Sequence, residues 1–181
     1  MKTKALLLIL AMVLSISILS GCTTKPQEQE TGDNSQTEVD ATSSASQAVD
    51  EASFKEKISK DGNFIIITSS DLSFSEDLIV EGTFENSGGS IARSIALAQY
   101  DEEGNAIEFN LTVPNLVIKS ENALIEYGTV KGNVYVEAPG FRTKETTIEG
   151  NLYFATEELM NEFEADEGTE ITQEIAVKEY E

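Results

Sequence analysis

From residue 114 onward, apolar and polar positions recur as one short phrase: Pro114-Asn-Leu-Val-Ile118, Gly132-Asn-Val-Tyr-Val136, Gly150-Asn-Leu-Tyr-Phe154 and Gly168-Thr-Glu-Ile-Thr172. The phrases start at 114, 132, 150 and 168, a constant step of eighteen residues. A fixed short period marks units that cannot bury their own apolar face and must stack on neighbours. Within each phrase side chains alternate as in a short strand, so Leu116, Val134, Leu152 and Glu170 form one column. Ile118, Val136, Phe154 and Thr172 form a second column on the same face, and Val130 and Ile148 extend that interior upstream. The Gly or Pro before the Asn marks a corner, where glycine takes positive φ without steric cost. The pattern predicts a short β-helix of 18-residue coils over 114–177, with neighbouring strands about 4.8 Å apart. Thr156–Phe163 departs from it, since Leu159 and Phe163 stand at helical spacing. Glu170, a charge in an apolar column, predicts the exposed end of the stack.

Residues 53–113 are rich in strand signals without that period. Ser53–Ile58 reads as a short helical entry, Asp61-Gly62 as a turn, and the NFIIIT run at 63–68 as a buried strand. Leu72, Phe74, Leu78-Ile79-Val80 and Phe84 continue the strand signal up to the break at 86–89. Residues 91–100 and 106–113 flank a Gly-Asn loop at 101–105 and read as a hairpin, although 91–99 also tolerates helix. These signals predict a smaller antiparallel strand-rich part over 53–113, leading into the repeat part at 114–181 of an all-β chain.

The chain begins with a short basic segment holding Lys2 and Lys4, an apolar run from Ala5 to Leu19, and then Leu19-Ser-Gly-Cys22. This charge–apolar–small order is that of a secretory signal, here residues 1–21. Leu19–Cys22 resembles the lipobox of bacterial lipoproteins, which implies cleavage before Cys22 and acylation of its thiol. Two or more chains on one residue give stable anchoring where a single chain gives only marginal binding. Cys22 is thus the expected membrane anchor, on the extracytoplasmic face. Residues 22–52, mostly Ser, Thr, Gln, Glu and Asp after the cysteine, read as a disordered tether reaching about 30 Å by random-coil scaling.

Composition narrows the chemistry. Without Lys2 and Lys4, the 12 basic residues become 10 against 33 acidic ones, a net charge of −23. Such a body is repelled by nucleic acid and by anionic headgroups. Histidine is absent and Cys22 is the single cysteine, so the commonest general base and any second thiol are missing. No enzyme and no cofactor are expected. Acidic runs at 101–103, 157–158 and 162–167 lack the spacing of a calcium loop and read as solvated surface.

Val130-Lys-Gly-Asn-Val-Tyr-Val136 and Ile148-Glu-Gly-Asn-Leu-Tyr-Phe154 resemble the repeated I-x-G-N-hydrophobic-x-hydrophobic phrases of bactofilins, polymer-forming bacterial cytoskeletal proteins. The likeness covers roughly residues 114–177, and the lipobox, tether and repeat together resemble polymer-forming bacterial lipoproteins. It implies a β-helical scaffold and self-association. The other expected function is a surface binding module for cell-wall glycan, calcium or a secreted protein. Its candidate surface is the outward column Val117, Tyr135, Tyr153 and Ile171, apolar in every row. That column either is an interface or is covered by residues 63–113 folding back.

Overall fold

The structure, a computed structural model, describes residues 45–181. Cys22, the signal segment and the tether up to residue 44 lie outside the described residues.

Order begins earlier than residue 53. Strand β1 (Ser46–Ala48) leads into helix α1 (Glu51–Ile58). The Asp50 carboxylate accepts the Ser53 N–H at 2.8 Å, and Ser53 Oγ accepts the Asp50 N–H at 3.1 Å. This reciprocal capping box satisfies donors that a helix start leaves free. Phe54 and Ile58, one turn apart, are both buried in the core, and so is Ala48. The expected tether boundary at 52 is therefore corrected: a polar sequence folds here because it caps a helix and pairs a strand.

The strands that follow are β2 (Ile65–Thr68), β3 (Leu72–Ser73), β4 (Leu78–Val80), β5 (Arg93–Ala96), β6 (Ala98–Tyr100) and β7 (Ala106–Glu108). Next come β8 (Asn110–Ile118), β9 (Ala123–Glu126), β10 (Thr129–Val136), β11 (Arg142–Lys144), β12 (Thr147–Glu149) and β13 (Leu152–Phe154). Helix α2 (Glu157–Glu162) precedes β14 (Glu170–Ile171) and β15 (Ile175–Val177). The chain is all-β, with all its strands but β6 and β7 in two parallel sheets. One sheet runs β1-β2-β5-β9-β11; the other carries β3 and β4 on β8, then β10, then β12 and β13, then β14 and β15. The backbone passes from one sheet to the other and back, so each strand pairs with its counterpart from the next pass.

The expected antiparallel part at 53–113 is corrected by this pairing. β2 pairs in parallel with β5, and β3 and β4 pair in parallel with β8. Among the described residues of that part, antiparallel pairing is confined to the β6–β7 hairpin around the 101–105 loop and one Glu85–Ile91 bridge. Parallel pairs need long crossovers, and the excursion through the opposite sheet supplies them. The step is hidden in sequence because insertions vary it: Asp77 and Asn115 occupy adjacent rows 38 residues apart.

Downstream the eighteen-residue step holds. Asn115 meets Asn133, and Asn133 meets Asn151, each pair 18 residues apart. Leu78, Leu116, Val134 and Leu152 are in register and buried; Val80, Ile118, Val136 and Phe154 repeat this two residues on. Leu111, Val130 and Ile148 line the same interior, and Ile66, Ile95 and Ile125 face them from the other sheet. Successive passes of the chain touch closely at the corner. A Cβ on Gly132 would lie 1.7 Å from the Val113 carbonyl oxygen, and one on Gly150 would lie 2.0 Å from that of Gly132. Only glycine fits such an approach.

The last interval lengthens to 23 residues, as between Asn151 and Glu174, because α2 is inserted. Leu159, Met160 and Phe163 pack against the core. Glu170 consequently pairs with Thr147, and Ile175 takes the place in the column expected for Glu170. The stack ends in an apolar row rather than a charged one.

Leu152→Asp tests this register. It buries an unpaired carboxylate between two rows and should cost about 4 kcal/mol or more by chemical denaturation. A loss below about 1 kcal/mol, that of an ordinary surface substitution, contradicts the stacked columns.

Candidate interaction surfaces

The outward column resolves differently from its sequence pattern. Val117, Tyr135 and Tyr153 are in register, with Ile79 before them and Ala176 after. Ile171 is not in this column; it pairs with Ile148 and packs against the core, because the 23-residue interval shifts its phase. Nor is the column open. Val117 and Tyr135 are buried. The cover over the two tyrosines is the chain's own C-terminal tail. Lys178 Nζ stands 4.8 Å from the Tyr153 ring and 5.8 Å from that of Tyr135, at cation–π distance. The Tyr180 ring meets Tyr135 edge-on at 5.3 Å, and its hydroxyl donates to Asp77 Oδ2 at 2.7 Å. A tail that leaves the last row thus ties back to the first.

Asp77 also terminates a ladder of side-chain amides. Asn115 Nδ2 donates to both Asp77 oxygens at 2.9 and 3.0 Å. Asn133 Nδ2 donates to Asn115 Oδ1 at 3.1 Å, and Asn151 Nδ2 to Asn133 Oδ1 at 2.9 Å. The Glu174 N–H closes the series on Asn151 Oδ1 at 3.2 Å. An amide can donate to one neighbour and accept from the other, so Asn suits every inner rung, and an acceptor-only carboxylate suits the first. Hydrogen bonds from Asn115, then Tyr180, hold the Asp77 carboxyl below the usual aspartate range.

Arg93 has backbone carbonyls and the Ser120 hydroxyl as its partners. It is buried on the inward side of β5 and donates to the carbonyls of Lys57, Ser59 and Glu81, with its guanidinium 4.3 Å from the Phe84 ring. Burial lowers its pKa to about 10, against the opposing pull of Glu81. It fastens the end of α1 to the sheets and faces no substrate-sized space.

A shallow groove of about 330 Å³ lies on the outer face of the first sheet. Its lining includes Gln47, Ile65, Ile67, Gln99, Tyr100 and Tyr127. The β6–β7 hairpin carries Tyr100 to Tyr127, where the rings meet edge-on at 6.1 Å and the hydroxyls at 2.9 Å. Tyr127 reaches there from a left-handed backbone with φ of 62°, just before Gly128. Sequence reading missed this pair because the tyrosines lie far apart in sequence and neither falls in the repeated phrase. Among the described residues no three His, Cys, Asp or Glu side chains gather as metal ligands, and no helix is long and apolar enough to cross a membrane. Comparison with family models, with characterised proteins and with solved structures gave no match.

Asp77→Asn checks the ladder's end. A depressed folded pKa gives stability that is present above the unfolded value of about 3.9 and is lost as pH falls through the folded value. Wild type should therefore exceed Asp77→Asn in stability at neutral pH, and the gap should close in acid. Denaturation curves at several pH values read this; a gap that is constant with pH contradicts it.

Proposed function

We propose that this protein is a lipid-anchored, extracytoplasmic scaffold whose body is a short bactofilin-like β-helix. The observation that carries the reading is the parallel pairing of successive passes at a constant eighteen-residue step through Asn115, Asn133 and Asn151. Such a stack is stiff along its axis, because each row is hydrogen-bonded to the next and shares one apolar interior. The Leu19–Cys22 lipobox supports the anchor, and the polar residues after it support a spacer between membrane and body. The body spends its side chains on columns, ladders and corners, which suits a load-bearing or spacing element.

A second reading is favoured by the Tyr100–Tyr127 groove: a surface module for neutral glycan. Tyrosine faces stack on the apolar faces of sugars, and the amides of Gln47 and Gln99 suit hydroxyl recognition.

Two measurements check these readings. Cys22→Ala should leave an uncleaved precursor and abolish detergent-phase partitioning of the mature form; unchanged processing and retention contradict the anchor. For the second reading, chito-oligosaccharide titration followed by tyrosine fluorescence should saturate, and Tyr100→Ala should weaken binding about tenfold, the loss of one stacking contact. No saturation, or equal affinity in the variant, removes the glycan reading.

A further inference from the structure

The two ends of the stack are finished differently. At the first row the inward side chains Leu78 and Val80 are 4% and 0% exposed, closed over by α1 with Phe54 and Ile58. At the last row the same two columns end in Ile175 and Val177, which are 47% and 43% exposed. A coil array whose terminal row shows its core residues to solvent lacks the polar cap such arrays need.

β15 is also a free edge among the described residues. The Glu174 carbonyl accepts from the Leu152 N–H, and the Lys178 N–H donates to the Phe154 carbonyl, so these residues turn their backbone groups toward β13. Alternation then directs the N–H and C=O of Ile175 and Val177 to the open side. An edge with unpaired groups and apolar side chains is a template for another strand.

We propose that a second copy of this chain fills that edge, with β15 pairing antiparallel to β15 across a two-fold axis at Ala176. The register is self-complementary. It places Ile175 opposite Val177 of the second copy, so the outward backbone groups of both exchange hydrogen bonds and the apolar side chains meet on one face. On the other face it places Glu174 opposite Lys178 of the second copy, twice by symmetry, with the Lys178 ammonium swinging from its place 4.8 Å from the Tyr153 ring to reach it. These ion pairs offset, at the contact itself, the repulsion between two strongly acidic bodies. Head-to-tail growth would require the last row to dock where α1 already closes the first. The assembly is therefore a closed dimer and not an open filament. This deepens the scaffold reading and rests on it, since it names the partner of that body.

The test uses the full chain in its membrane and cysteine cross-linking. Ala176→Cys brings two thiols to facing, non-hydrogen-bonded positions, near enough for a disulfide. Mild oxidation should give a species of doubled mass from Ala176→Cys. It should not do so from wild type, whose single thiol is at Cys22, or from Gly104→Cys in the distant hairpin loop. Adding Glu174→Lys sets like charges opposite each other at two places and should cut the yield roughly tenfold. Adding Lys178→Glu to that chain should restore it. No cross-link, a yield equal to that of Gly104→Cys, or indifference to the charge exchange overturns the dimer. A chain that stays membrane-bound without cross-linking leaves the anchored scaffold standing. If the chain is instead released from membranes, the anchor fails, and the same cross-linking outcomes, read in the soluble fraction, still decide the dimer.

Discussion

Parallel pairing at a constant step sets like upon like, and most of this molecule follows from that constraint. When residue i hydrogen-bonds beside residue i plus eighteen, each position of the repeat becomes a column along the axis. Inward columns must then be apolar throughout, as Leu116, Val134 and Leu152 are. A polar position can recur only if its side chain bonds to a copy of itself, which Asn115, Asn133 and Asn151 do. An aromatic position becomes a stack, as with Tyr135 and Tyr153 at 5.0 Å. A corner too tight for a side chain demands glycine in successive rows, at 132 and 150. Acidic residues collect where columns impose nothing, on the exposed sides and loops.

The same constraint makes the ends the vulnerable places. A stack has no closing contact of its own, so something outside the repeat must finish each end. α1 does this for the first row, fastened by Arg93 through the Lys57 and Ser59 carbonyls. The tail from Lys178 to Tyr180 runs over the tyrosine column and reaches Asp77, 103 residues earlier in sequence, so the last row is tethered to the first. That tie covers the outer face and leaves the β15 edge and its two apolar side chains uncovered.

How much of this was legible depended on whether a feature was local or periodic. The columns at 116, 134 and 152, the Gly corners and the helix-like phrase at Leu159 and Phe163 could be read, because period and alternation carry them directly. So could the 101–105 hairpin and the α1 entry, which rest on turn and helix chemistry over a few residues. The parallel pairing of 63–113 could not, since the 86–90 loop and the β6–β7 hairpin stretch the step and erase the period. α2 displaced Ile171 and Glu170 from their expected columns by lengthening one interval. Arg93, Tyr180 and the Tyr100–Tyr127 pair depend on contacts between residues distant in sequence, for which a single sequence offers no signal beyond Arg93 sharing the inward phase of Ile95.

The direction of pairing between coils is the point on which everything else turns, and amide-to-amide NMR contacts read it directly. The account predicts contacts of Asn133 with Asn115, Tyr135 with Val117 and Val136 with Ile118, all running in the same direction and repeating from 133–136 to 151–154. Contacts in the opposite order, with Asn133 near Ile118 and Val136 near Asn115, or none between these rows, would contradict it.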